Sequence, residues 1–162
     1  MNILHAMALI FTIGVFLLVG SMIINQVTTH LIDNKVKLGF NNESTEVIKD
    51  VRDLRTNLDY VFFFIAFGIL LALPITAYFS DSSPIFLVIY ILLFLIAIAL
   101  SAVLANAYTL ISAERLIATE TPNFNLSTSL FNNYPLWTMI FGAVSIIILF
   151  GKARTAGGGA YG

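Results

Sequence analysis

The sequence contains no cysteine. Disulfides, thiolate catalysis, Cys-ligated zinc and iron–sulfur clusters are therefore excluded. Charge is scarce as well. Asp, Glu, Lys and Arg make up 10% of the 162 residues, against about 25% in an ordinary soluble domain. The net charge is −1, from 8 basic and 9 acidic side chains, so no strong field favours nucleic acid or an acidic ligand. The two histidines, His5 and His30, stand far apart and in no ligand spacing, whereas a metal site needs several convergent donors. Gly157-Gly158-Gly159 lacks the Lys-Ser/Thr that completes a phosphate loop. No catalytic, cofactor-binding or metal-binding residue is expected, and a membrane enzyme is the least favoured reading.

What the chain has in abundance is apolar surface. Hydrophobic residues make up 59%, and the mean hydropathy is +0.93. A chain of this length cannot bury that much apolar surface around one water-exposed core. The fold class expected is an all-α polytopic integral membrane protein. A hydrocarbon core takes about 20 residues of helix, and four stretches are apolar enough to cross it: residues 3–24, 60–79, 85–111 and 134–150. The first has no Lys or Arg before its apolar run and no small-residue cleavage site after it, so it reads as a retained span rather than a signal peptide. The fourth is the shortest, with Tyr134 and Trp137 suited to an interfacial belt.

Between the spans, residues 25–59 form the largest polar connection. Within it Val47, Val51, Leu54 and Leu58 share one helical face, which predicts an amphipathic helix over 44–59. Ser44 is the expected cap, and Lys49 and Asp53 are spaced to pair. No breaker separates Asp59 from Tyr60, so this helix should run on into the second span. The second connection, SDSSP at 80–84, is a tight turn with Pro84 at the start of the next helix. It predicts an antiparallel hairpin of the second and third spans. The third helix is expected to continue to about Thr119, before Thr121-Pro122-Asn123 stops it. The Gly-rich tail, 151–162, has no reason to fold alone.

None of the four apolar cores holds Asp, Glu, Lys or Arg. Such residues mark proton relays and ion paths, so their absence lowers the case for a pump or coupled transporter. Rows of small side chains recur every four residues: Gly68, Ala72 and Thr76 in the second span, and Ala97, Ser101, Ala105 and Thr109 in the third. Small rows let helix backbones approach in lipid, and the two rows are expected to face each other across the hairpin. Asn106 lies beside the second row. In the tail, Tyr161 offers apolar area and a hydroxyl, which makes it the expected contact with a neighbouring chain.

Sidedness follows from basic residues. Lys35, Lys37, Lys49, Arg52, Arg55 and Arg115 fall in the first and third connections, against Lys152 and Arg154 at the other end. The positive-inside rule places the six in the cytoplasm, or in the interior of a virion. The expected partners are membrane lipids and other protein chains, either of an assembly or of a homo-oligomer, and not nucleic acid. The function expected is that of a non-enzymatic structural or accessory subunit of a larger membrane assembly, of which a lipid-containing virion is one version. The alternative is a small oligomeric channel or transporter.

Overall fold

A computed structural model of the chain describes residues 3–80 and 84–157, with the side chains of residues 55, 56, 84 and 155–157 outside that description. Among the described residues every regular element is a helix: α1 (Ile3–Asp33), α2 (Asn42–Phe79), α3 (Pro84–Ser112), a 3-10 turn (Thr121–Asn123), α4 (Asn125–Asn132) and α5 (Tyr134–Gly157). Four of these, α1, α2, α3 and α5, are long and apolar enough to cross a membrane. The central residues of the SDSSP turn, 81–83, and the contact expected of Tyr161 lie outside the described residues.

α2 is one uninterrupted helix of 38 residues. At ~1.5 Å per residue it is about 57 Å long, roughly twice a hydrocarbon core. Its cap is Asn41 rather than Ser44: the Asn41 Oδ1 accepts from the Ser44 backbone N–H at 2.7 Å, so the helix starts a turn's edge earlier than the periodicity suggests. Asp53 pairs with its neighbour Arg52 at 3.6 Å instead of with Lys49. α1 also outruns its span, continuing nine residues past Ile24 to Asp33. Polar residues in that stretch do not break a helix when one face keeps packing, and Ser21 and Thr28 stay buried on the face that begins at Ile3, Met7 and Ile10. The first connection therefore shrinks to 34–41, where Gly39 takes the positive φ (69°) that closes the turn.

The ends of α3 and α5 also depart from expectation. α3 stops at Ser112, not near Thr119. The Thr121 hydroxyl donates to the Ser112 carbonyl at 3.1 Å, satisfying a terminal acceptor and turning the chain back. α5 continues through the expected tail to Gly157. Within this stretch Lys152 Nζ donates to the carbonyls of Tyr78 and Ser80 at 2.6 Å each. A cation at the C-terminal end of α2 is favourable against the helix dipole, and it ties the last turns of the two helices together.

Packing closes a ring: α1 against α2, α2 against α5, α5 against α3, and α3 against α1. α2 and α3, consecutive in the chain, therefore lie across a diagonal. The two small rows do not meet. α2 buries Phe62, Ala66, Leu70, Leu73 and Ala77, a face roughly opposite Gly68, which is exposed. Large side chains bury more area and win the interior. On α3, Ala97 and Ser101 are buried, Ala105 is half-buried and Thr109 is exposed. Steps of four on a 3.6-residue helix drift by about 40° each, so that row winds off its own face.

Candidate functional site

The most specific arrangement in the molecule is at the end of the bundle where α3 hands over to α5. The chain there does not remain outside as a loop. It folds back, and α4 enters between the long helices. Its Phe131 ring stacks on Tyr108 of α3 with centroids 4.1 Å apart and on Phe62 of α2 at 5.8 Å. It meets Phe11 of α1 edge-on at 6.1 Å and Tyr134 of α5 at 5.5 Å. One side chain thus touches all four long helices, in the stacked and edge-to-face geometries that aromatic quadrupoles favour. Room for it is made by Gly14 of α1. A Cβ at that position would lie 2.6 Å from Phe131 and 2.9 Å from Phe62. Gly142 of α5 does the same for Phe94 of α3, whose ring would overlap any added Cβ. At these two notches an aromatic ring packs directly against the glycine backbone.

Two carboxylates are buried around the inserted segment. Asp59 is 4% exposed and accepts from the backbone N–H groups of Leu126 and Ser127 at 2.8 Å each, and from the Ser127 hydroxyl. These are first-turn donors of α4, which have no partner inside their own helix. α4 has no side-chain cap of its own, since Phe124 occupies that position. Asp59 supplies the missing cap from α2, and its charge lies at the positive end of the α4 dipole. Glu120 is 1% exposed and accepts from Asn25 Nδ2 at 2.6 Å, Ser21 Oγ at 3.3 Å and Asn123 Nδ2 at 3.5 Å. It fixes the segment before α4 to α1. Tyr134 completes the set, its hydroxyl donating to the Met7 carbonyl at 3.0 Å.

Both carboxylates lie outside the four apolar stretches, so their interior position is invisible to hydropathy. One signal was available: Asn125-Leu126-Ser127-Thr128 is a short segment rich in donors, and a helix start without its own acidic cap needs an acceptor from elsewhere. Ser127 also belongs to an Asn-x-Ser sequon, in which Ser127 is buried against Asp59 while Asn125 is exposed.

At the opposite end none of the described residues is inserted between the long helices. There the four long helices surround an apolar cavity of about 240 Å³, lined by residues including Ile3 of α1, Leu73 and Ala77 of α2, Ile89 and Leu93 of α3, and Leu149 of α5. A second apolar recess, a groove between α1 and α2, starts at Ile23 and runs on with Val27, Leu31, Val47, Ile48 and Val51 along it. Here Val47 and Leu54 are each 61% exposed: the apolar face foreseen in the 44–59 helix is present but largely uncovered. His5 and His30 are both exposed, and among the described residues no three His, Asp or Glu side chains converge as a metal site. Asn106 faces outward from α3. Comparison with protein-family models, with curated proteins and with solved structures gives no match.

Proposed function

We propose that the protein is a multi-pass membrane protein that serves as a non-enzymatic structural or accessory subunit of a larger membrane assembly, docking through the α1–α2 hairpin that projects from its bundle. The membrane part of this reading is supported by four long apolar helices. Their outward faces carry residues such as Phe16, Phe64 and Phe79, each more than 70% exposed, which water would disfavour by ~25 cal/mol per Å².

The assembly part is carried by the uncovered groove. A span of about 20 residues accounts for α2 from Tyr60 onward, so Val47, Val51 and Leu54 project beyond it on the side with six of the eight basic residues. Outside hydrocarbon, a contiguous apolar patch of this kind marks an interaction surface. The positive-inside rule puts that hairpin in the cytoplasm, or in the interior of a virion. An oligomeric channel would have to run between copies, because Phe131 and its ring partners fill the axis of this bundle.

The test is the native mass after gentle detergent extraction, for the wild type and for a Val47→Asp/Val51→Asp variant. The wild type should run in a complex well above its 17.8 kDa chain mass, and the variant should dissociate while staying folded. A monomeric wild type, or a variant that assembles equally, defeats the reading. Sidedness is checked separately with Lys37→Cys, a unique thiol in this chain. It should be protected from an impermeant reagent added outside intact cells.

A further inference from the structure

We infer that the uncovered face of α2 is a contact with a second copy of this chain, the two α2 helices running parallel as a two-stranded coiled coil that begins outside the membrane and continues into it. This rests on the assembly reading above and names the partner. Val47, Val51, Leu54 and Leu58 stand four, three and four residues apart. That alternation is the a and d spacing of a heptad, which keeps one apolar stripe facing a partner helix. The first three are exposed. The stripe is not the side of α2 that its own bundle covers. Thr45 is buried and Ile48 and Arg52 are half-buried, and at about 100° per residue the stripe is centred roughly 120° round from them. Lys49 and Asp53, both exposed, occupy the remaining, polar side.

The same spacing runs on through Val61 and Ile65 to Gly68 and Ala72 in the span. Val61, Ile65 and Gly68 are exposed, and a Cβ added at Gly68 would meet nothing within 4 Å. Small residues at such positions let two backbones approach in lipid. Gly68, which faces away from its own bundle, therefore lies on the same stripe as the apolar face outside the membrane.

Charge and orientation identify the occupant. From Asp33 to Arg55 the hairpin carries five acidic and five basic side chains. Such a balance gives no net attraction to an anionic lipid surface and selects no partner of either sign. It suits a self-complementary contact, in which each side supplies both signs. In the heptad register of α2, position 50 is g and position 55 is e. In a parallel pair the g position of one helix faces the e position of the following heptad on the other. These positions hold Asp and Arg, so the register sets opposite charges together twice across the two-fold axis. An antiparallel pair would set g against g, where Glu43 and Asp50 are both acidic. Copies inserted in one membrane share an orientation, which imposes the parallel pairing. Val51 at a with Leu54 at d is the combination that favours two strands.

The experiment is oxidative cross-linking of single-cysteine variants in native membranes, with two differently tagged copies of the full chain produced together. The wild type has no cysteine, so each variant reports one position. Val51→Cys should give a disulfide-linked pair that carries both tags, and Leu54→Cys is the second probe on the stripe. Lys49→Cys, on the polar side, should give none. In the Val51→Cys background Asp50→Arg should cut cross-linking about fivefold, as loss of two exposed ion pairs would. Adding Arg55→Asp should restore it.

Equal cross-linking at Lys49 and Val51 would mean random collision and overturns the contact. No cross-link at Val51 or Leu54 from a protein that still runs as a large native complex means that another protein covers the face: the second copy is then excluded while the subunit reading stands. A monomeric native mass defeats both. An Asp50→Arg variant that cross-links as well as its parent, or a charge swap that fails to restore pairing, overturns the parallel register.

Discussion

At one end of the bundle a single ring, Phe131, touches all four long helices; at the other, the same four helices surround apolar space. The same four helices bound both ends, so the contrast does not come from which helices are present. The difference is an extra piece of chain. Between α3 and α5 the connection is long enough to fold back, and α4 delivers an aromatic side chain to the axis. Between α2 and α3 the connection is four residues, 80–83, with no room for a further helix. The filled end is therefore expected to carry most of the stability of the fold.

The sharpest way to break this contrast is to remove the ring. Phe131→Ala leaves a void among Phe11, Phe62, Tyr108 and Tyr134 and should destabilise the bundle by about 3–5 kcal/mol, measured by denaturant titration in detergent micelles. A small loss would mean that the axis is not held by Phe131. Next in size is the cap supplied from α2. Asp59→Ala strands the N–H groups of Leu126 and Ser127 in a buried place and should cost about 2–3 kcal/mol. Asp59→Asn, which keeps one acceptor oxygen, should recover part of it, whereas equal losses would show that capping is not its role.

Gly14→Val should cost about 1–3 kcal/mol by forcing the Phe131 ring from its notch. A companion loss in the Gly14→Val/Phe131→Ala double variant, smaller than the sum of the two, would locate the conflict at that contact. The smallest effect is reserved for the row of small residues. Gly68 is exposed and a Cβ there meets nothing within 4 Å, so Gly68→Leu should change stability by no more than about 0.5 kcal/mol. The buried Ser101, replaced by Leu, should lose more. Equal behaviour of the two would restore the idea that both rows are packing faces.

These outcomes bear on why some of the structure was legible in advance. The four apolar stretches, the continuity of α2 past Asp59 and the start of α3 at Pro84 follow from local facts: length, apolarity, and the presence or absence of breakers. The apolar face of Val47, Val51 and Leu54 was equally visible, although whether it would be covered was not. Helix ends were less legible because they are set by distant partners. Lys152 of α5 binds the carbonyls of Tyr78 and Ser80 at the end of α2, and Thr121 bonds Ser112 where α3 ends.

What the sequence by itself determined is that the chain makes long apolar helices, too hydrophobic for a water-exposed core, with most of its cationic charge at one end. What only the tertiary structure decided is which faces meet. Periodicity reveals a packing face when the opposite face is polar, and helices that are apolar all round carry no such mark. Partner choice then falls to shape: Gly14 against Phe131, Gly142 against Phe94, and on α2 the face of Phe62, Leu70 and Leu73, not that of Gly68, turned to the interior. The buried carboxylates belong to the same class. Asp59 and Glu120 look like surface residues of polar connections, and they become interior only because α4 brings unpaired N–H donors to one and the folded-back segment brings Asn25 and Ser21 to the other.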